Sequence, residues 1–192
     1  MSERLEGPGP AERPHPVGRR DAHGVRIEPA GNGGEPRRAV VSVLVRHEPG
    51  VLARVAGLFA RRRFNIEELT VGGVDDEHGR ITLVVREPEP GLIQVVKQLE
   101  KLLSVISAEE LDTDAIRREI ALVKVNGDEP ASVKALADMY GGRVVDASDG
   151  TVTVELTGSR QKVEAALESF AELGVREIAR AGTVALERGR VG

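Results

Sequence analysis

Residues 42–69 read SVLVRHEPGVLARVAGLFARRRFNIEEL, and the spacing of the apolar residues changes twice within this stretch. It begins with a valine at every second position, which is the two-residue period of a β-strand. These valines are Val43 and Val45, and they continue from Val41 just before the stretch. After Pro49-Gly50 the apolar residues fall at helical spacing and form one stripe. The stripe consists of Val51, Leu52, Val55, Leu58 and Phe59. Asn65-Ile66 then starts a second strand, so the stretch predicts a strand, a helix and a strand.

The Pro49-Gly50 pair stands where the first helix is predicted to begin. Proline suits a first helical position, because its φ is already helical and its missing N–H costs nothing there. Glycine lets another group approach the first-turn N–H groups, which have no partner inside the helix. Such N–H groups are suited to holding a carboxylate. The alternative is a plain strand-to-helix turn, and the Asn65-Ile66 pair after the helix favours the binding interpretation.

The region from Arg38 to Leu111 predicts the order strand, helix, strand, strand, helix, strand. A polar turn at residues 75–79 separates the second strand from the third, and Pro88, Pro90 and Gly91 break the chain before the second helix. The apolar stripe of that helix consists of Leu92, Val95, Val96, Leu99, Leu102 and Leu103. This order predicts an antiparallel four-stranded sheet with both helices on one face.

The same order of elements recurs in the second half of the chain, starting at Glu119. Pro130 opens a helix, Gly141-Gly142 ends it, and Ser159 caps the next helix. Val175–Ala181 is predicted as the final strand. The chain therefore predicts an α+β protein with two tandem ferredoxin-like βαββαβ domains.

The predicted domain boundaries follow from composition. Residues 1–36 hold six of the ten prolines and few aliphatic residues, which predicts a disordered arm. Residues 37–112 form the first predicted domain and residues 118–189 the second. The polar segment Asp112–Arg118 is predicted to link them.

Composition also excludes several kinds of site. The 192 residues include no cysteine, so disulfides, thiolate metal sites and cysteine nucleophiles are excluded. The four histidines show no metal-ligand spacing. The net charge is −4 with both signs interleaved, which indicates no nucleic-acid partner. No apolar run approaches the roughly 18–20 residues that a membrane helix needs, so we expect a soluble, cytoplasmic protein without a membrane partner.

No catalytic constellation is evident. No serine or threonine nucleophile has a signature that pairs it with a base. Adjacent acids such as Glu67-Glu68 point to opposite sides of a strand, which favours surface charge over carboxylate chemistry. This fold order also serves RNA-binding and acylphosphatase-type proteins. RNA recognition on such a sheet uses strand aromatics, and the predicted strands have none.

The stretch HEPGVLARVAGLFARRRFNIEEL, residues 47–69, resembles the amino-acid-sensing ACT domain. Four later stretches extend the likeness to the small regulatory subunit of acetolactate synthase (acetohydroxyacid synthase). They are REIALVKV, GGRVVD, TVTVELTGSRQKVEAAL and VREIARAGTVALERG. The resemblance runs from about Arg38 to Gly189.

This resemblance implies a non-catalytic subunit in branched-chain amino-acid biosynthesis. Such a subunit binds the catalytic large subunit, raises its activity and conveys feedback inhibition by valine, in some members by leucine or isoleucine. The resemblance places thiamine diphosphate, Mg²⁺ and FAD in the large subunit, and no cofactor in this chain.

The resemblance also implies an effector site, in which N–H groups near Gly50 hold the carboxylate of the amino acid and Asn65 and Ile66 complete the pocket. The candidate effector-binding residues are His47, Pro49, Gly50, Val51, Leu52, Asn65 and Ile66. No catalytic or metal-binding residue is implied. In this family two ACT domains pair edge to edge with the effector at their interface, so we expect a homodimer.

His47 departs from the family pattern, because related subunits often carry Asn at this position. A neutral imidazole donates and accepts a hydrogen bond as an amide does, but histidine side chains ordinarily gain charge near pH 6.5. A ligand role and a simple loop role both stay open for His47. The identity of the sensed amino acid stays open with them.

Two other functions compete with this interpretation. The first is a stand-alone ACT-type sensor that regulates another enzyme or a transcription factor. Such a sensor needs no second unit with the stretch EIARAGTVAL, so the C-terminal half favours the regulatory subunit. An acylphosphatase-like hydrolase ranks third.

Overall fold

The computed structural model describes residues 34–189, and the two halves of this region repeat one order of elements. The elements of the first half are β1 (Arg37–Arg46), α1 (Val51–Arg62), β2 (Ile66–Gly73), β3 (His78–Glu87), α2 (Glu89–Leu99) and β4 (Val105–Glu110). Those of the second half are β5 (Ile116–Asn126), α3 (Pro130–Met139), β6 (Arg143–Ser148), β7 (Thr151–Gly158), α4 (Arg160–Ala171), β8 (Val175–Arg180) and β9 (Val184–Leu186).

Each half forms an antiparallel sheet. The strand order is β2-β3-β1-β4 in the first sheet and β6-β7-β5-β8 in the second, where β9 also pairs with β5. The predicted α+β fold with two tandem ferredoxin-like units is therefore confirmed. The predicted arm, residues 1–36, lies almost wholly outside the described residues. No helix within residues 34–189 is long and apolar enough to cross a membrane.

The helix-covered face of the first sheet holds the first hydrophobic core. Alternate residues of β1 point into it, as the valine period predicts, and Val41, Val43 and Val45 are at most 1% exposed. Helices α1 and α2 close this core with Val55, Leu58, Phe59, Leu92, Val95 and Leu99. This packing fixes both ends of α1 relative to the sheet.

The opposite face of the first sheet is also covered near its centre. Val40 of β1 and Val84 of β3 are buried there, together with Leu111, Ala115 and Ala185. Ala185 belongs to β9, which pairs with the start of β5 through Ile116–Arg118. The second half of the chain thus supplies part of the cover for the first sheet.

Among residues 34–189, the second sheet has a core on its helix-covered face only. Ala121, Val123 and Val125 of β5 are buried against α3 and α4. Ile120 and Leu122 of the same strand point to the other side and are each 40% exposed. The alternation of apolar residues predicted which residues of β5 lie on each face of the sheet. It did not predict that, among the described residues, only the helix-covered face is buried.

Several predicted boundaries differ from the structure. Helix α1 begins at Val51, so Pro49 lies in the turn before the helix and not at its first position. Helix α2 begins at Glu89, and Pro90 therefore lies inside its first turn, where a missing N–H is tolerated. Leu103 lies beyond the end of α2 and is 94% exposed, so its place in the apolar stripe was wrong.

The predicted linker, Asp112–Arg118, is shorter than expected, because β5 already begins at Ile116. The predicted last strand ends at Arg180, and the separate strand β9 follows it. A three-residue strand is too short to give a period that can be recognised in sequence.

Candidate functional site

The candidate site begins at the turn that leads into α1. Gly50 is the N-cap residue of this helix, with φ 82° and ψ 2° in the left-handed region. Glycine adopts this conformation without steric cost, and this explains why a glycine stands at position 50. Crowding by a neighbouring group is not the reason. A Cβ at position 50 would meet nothing within 4 Å. The turn therefore leaves open space in front of the helix.

The first-turn N–H groups of α1 face this open space. Val51 N donates weakly to Glu48 O at 3.3 Å, and Arg54 N donates to Gly50 O at 3.1 Å. Leu52 N and Ala53 N lie between them, in the part of a helix where N–H groups lack intrahelical acceptors. Gly50 has no side chain to cap them. The arrangement suits an anion such as a carboxylate.

Side-chain and backbone hydrogen bonds to Ser104 also hold the turn in place. Ser104 is buried, accepts a hydrogen bond from Arg54 Nη1 at 2.6 Å and donates to Glu48 Oε2 at 3.1 Å. The backbone of Arg46 donates to Ser104 O at 2.8 Å. The residues on both sides of Pro49-Gly50 are thereby tied to the end of α2 and the start of β4.

His47 lies at the same end of the sheet as Gly50. Its backbone N–H donates to Glu77 O at 2.7 Å, and its ring passes close to Gly79, where an added Cβ would lie 3.6 Å from Nδ1. The side chain is exposed, as are Pro49 and Leu52. His47 is therefore available to a ligand in front of α1.

Asn65 and Ile66 follow the other end of α1. Arg63 ends the helix with φ 59°, and Phe64 packs edge to face on Phe59 with ring centroids 5.8 Å apart. Ile66 is half-buried against the first core, whereas Asn65 is exposed. The backbone of this pair is thus anchored, and the Asn65 amide is free to meet a ligand.

The structure does not bring the two predicted halves of the site together within one protomer. The register places Ile66 beside Val85, and Val85 beside Ala39 of β1. Ala39 and His47 are separated by eight residues of extended chain, about 25 Å. Helix α1, with 12 residues, spans about 18 Å between the same two ends. Gly50 and Asn65 therefore lie at opposite ends of the sheet.

Strand β2 forms an edge of the first sheet and carries exposed apolar side chains. Leu69 is 38% exposed and Val71 49% exposed, on the face that the helices cover elsewhere. Among the described strands β2 pairs only with β3, so its other edge presents unpaired N–H and C=O groups.

A polar network joins β2 to the second half of the chain. Glu68 accepts hydrogen bonds from the backbone N–H of Thr183 at 3.0 Å and from its hydroxyl at 2.7 Å. Arg160 Nη1 donates to the same carboxylate at 2.5 Å, and Arg38 also pairs with it. The Thr183 hydroxyl lies 3.2 Å from Glu119, whose side chain is only 2% exposed and pairs with Arg180 at 2.6 Å.

This network corrects the expectation that Glu67-Glu68 is only surface charge. Burial by itself raises the pKa of the Glu68 carboxyl, but hydrogen bonds from Thr183 and the charges of Arg38 and Arg160 outweigh it and hold the pKa below its usual value. Sequence reasoning missed the network because Glu68 and Thr183 are 115 residues apart.

Comparisons with known proteins fit both halves of the chain. A family described as AHAS small subunit-like ACT domain matches residues 41–107. A second family, described as small subunit of acetolactate synthase, matches residues 118–189.

Individual relatives give the same result. A probable acetolactate synthase small subunit of Methanothermobacter thermautotrophicus is 42% identical over 160 residues, which is 81% of this chain and 95% of the relative. The acetolactate synthase small subunit of Mycobacterium bovis is 44% identical over 158 residues, with 80% and 94% covered. The crystal structure of the acetolactate synthase small subunit of Thermotoga maritima has a TM-score of 0.76 at 37% identity, and covers 81% of this chain and 99% of its own.

Proposed function

This chain belongs to the family of acetolactate synthase small subunits, and on that premise we propose that it is the non-catalytic regulatory subunit of an acetolactate synthase. In this role it binds the catalytic large subunit, raises its activity and conveys feedback inhibition by valine or a related branched-chain amino acid. Thiamine diphosphate, Mg²⁺ and FAD belong to the large subunit under this proposal, and the complex works in the cytoplasm.

One observation carries the proposal for the effector site. Gly50 and Asn65 lie at opposite ends of one sheet, so a ligand that touches both must take them from two copies of the chain. Antiparallel pairing of two β2 strands around a two-fold axis sets the start of one strand beside the end of the other.

Such pairing would complete two equivalent sites. In one protomer Gly73 lies beside Gly79, and Gly79 beside Val45, at the sheet end that also carries His47. The partner's Asn65 and Ile66 would arrive at this end. Pairing through the other edge strand, β4, would leave Asn65 far from the dimer axis. The exposed Leu69 and Val71 of β2 also favour this edge, since the dimer would cover them.

Each predicted site residue then has a separate task. The Leu52 and Ala53 N–H groups, left accessible by Gly50, hold the effector carboxylate. The partner's Asn65 hydrogen-bonds the effector, and the partner's Ile66 and this protomer's Leu52 contact its apolar side chain. His47 lies at the rim and faces the polar end of the ligand.

A subunit-mixing experiment tests this arrangement. Gly50→Asp puts a negative charge where the carboxylate binds, and Asn65→Ala removes a hydrogen-bonding amide, a loss of about 1.5–3 kcal/mol or roughly 10- to 150-fold in affinity. Holoenzyme made with either variant alone should stay active and resist valine. When the two variants are mixed, each mixed dimer should regain one intact site, made of Gly50 from one chain and Asn65 from the other.

The readout is acetolactate synthase activity against valine concentration, for each variant and for the refolded mixture. Recovery of partial inhibition in the mixture supports a site shared between two copies. A mixture as resistant as its components would place both residues in one protomer's site and contradict the arrangement. Wild-type protein that neither activates the large subunit nor confers inhibition would refute the function itself.

A further inference from the structure

A groove lies between the two halves of the chain, and its hairpin wall is at the same end of the first sheet as His47. It has a volume of about 450 Å³. One wall is the hairpin end of β2 and β3, and the other is the two-stranded ribbon of β9 and the start of β5. The effector residues, from His47 to Leu52 and from Asn65 to Ile66, do not line it.

The walls of the groove carry a set of half-exposed apolar side chains. They are Val74 (52% exposed), Ile116 (41%), Val184 (52%) and Leu186 (57%). The backbones of the last three are held by strand pairing, since Ile116 pairs with Leu186 and Val184 with Arg118. The patch is therefore preformed, and a partner would not have to order it.

Two arginines flank this apolar surface. Arg80 Nη1 donates to the Ser42 hydroxyl at 2.7 Å, and Arg118 Nη1 donates to the backbone carbonyl of Arg117 at 2.8 Å. Within residues 34–189 neither guanidinium forms an ion pair with a carboxylate. A second cleft, which contains Arg38, Glu68 and Arg160, differs from this groove. Both of its arginines named here are paired with Glu68. The groove thus offers positive charge beside apolar surface.

The shape of the groove favours a chain segment over a small molecule. Its apolar walls are about half-exposed, so a small ligand would stay largely in water, whereas enclosing sites cover most of their ligand. We propose that the groove docks a segment of the catalytic large subunit that carries apolar side chains and at least one carboxylate. This inference rests on the proposed regulatory function.

A photo-crosslink distinguishes the possible occupants. A benzophenone amino acid replaces Val184 in the groove and, in a control protein, Ile106 of β4, which is exposed to a similar extent (47%). Each protein is assembled with the large subunit and irradiated. We expect position 184, and not position 106, to crosslink to an apolar, acid-containing peptide of the large subunit. Crosslinks from position 184 only to a second copy of this chain, or only to its own residues 1–33, would overturn the proposal.

Affinity for the large subunit gives a second measurement. Leu186→Asp should weaken binding about tenfold or more, because it places a carboxylate in the apolar contact. Arg118→Glu should weaken binding less and reduce its salt dependence. Ile106→Asp and Arg61→Glu, at exposed positions elsewhere, are the matched controls and should bind like wild type.

The outcomes separate this proposal from the one it rests on. Wild-type protein that fails to bind the large subunit would refute both. Wild-type binding together with equal binding by Leu186→Asp and Arg118→Glu would overturn only the docking groove. Equal losses in the groove variants and their controls would likewise place the contact outside the groove.

Discussion

The two sheets share one strand order and differ in what covers their second face. In the first sheet Val84, which points away from the helices, is completely buried beneath the Leu111–Ala115 segment and β9. On the corresponding face of the second sheet, Leu122 of the central strand β5 is 40% exposed. The first sheet is packed between helices and later chain, while the second sheet has a single core within the described part of the chain.

This difference shows that the repeated topology does not make the halves equivalent. The second half both closes its own core and covers the first sheet, and Glu68 and Thr183 hold the two together. The first half carries the candidate effector site, so ligand binding there acts on a unit whose outer face depends on the second half.

The largest expected effect comes from placing the same charge on the outer face of each sheet. Val84→Asp buries an unpaired carboxylate and should lower the free energy of unfolding by about 3–5 kcal/mol. Leu122→Asp keeps its carboxylate in water and should cost about 0.5 kcal/mol. Urea unfolding of both variants measures the difference. Similar losses in the two variants would mean that the outer faces are equally covered in solution.

A close backbone contact between the halves should give an intermediate effect. A Cβ at Gly182 would lie 2.5 Å from Thr70 Oγ1 and 3.4 Å from Leu69 O. Gly182→Ala should therefore cost about 1–3 kcal/mol through overpacking. Gly73→Ala is the control, since a Cβ there meets nothing within 4 Å.

The contact between position 182 and Thr70 can also be tested by removing the Thr70 hydroxyl. Thr70 Oγ1 is buried and has no hydrogen-bond partner among the described residues, so Thr70→Ala removes the crowded atom without breaking a bond. The double variant Gly182→Ala/Thr70→Ala should be more stable than Gly182→Ala alone. A double-mutant cycle on unfolding free energies measures this coupling, and strictly additive effects would contradict a direct contact.

The smallest expected effect is on the pH dependence of stability, through the polar network of Glu68 and Thr183 that joins the two halves. The pKa of Glu68 is lower in the folded protein than in the unfolded chain, so its ionised form stabilises the fold at neutral pH. That contribution should fade as the pH falls below about 4.3, the usual pKa of glutamate, toward the lowered value. The difference in unfolding free energy between wild type and Glu68→Gln should shrink from pH 7 to pH 3.5. The control Glu109→Gln, at an exposed position, should show little difference at either pH. A Glu68→Gln difference that stays constant with pH would rule out a role for this charge.

Local sequence signals were sufficient for the elements that bury one regular face. The valines of β1 and the apolar stripe of α1 have clear periods, and Pro49-Gly50 marks the turn between them. The left-handed φ of Gly50 was not foreseen, because glycine tolerates several conformations and its type alone does not select one. The site residues themselves were found by resemblance and await the mixing experiment.

Contacts between distant parts of the chain were beyond sequence reasoning. The burial of Val84 depends on β9, and a three-residue strand has no recognisable period. The separation of Gly50 from Asn65, by contrast, could have been predicted from the order of the elements alone. In the order strand, helix, strand, strand, helix, strand, the first two strands run parallel, so the ends of the first helix must lie at opposite ends of the sheet.

The late position of β9 has a consequence for protein synthesis. After Leu111 leaves the ribosome, roughly 75 more residues must follow before Leu186 does, which at 5–20 residues per second takes about 4–15 s. During that interval the nascent first sheet exposes the patch around Val40 and Val84 that β9 later covers. This patch gives chaperones or a neighbouring nascent chain a defined time window in which to bind.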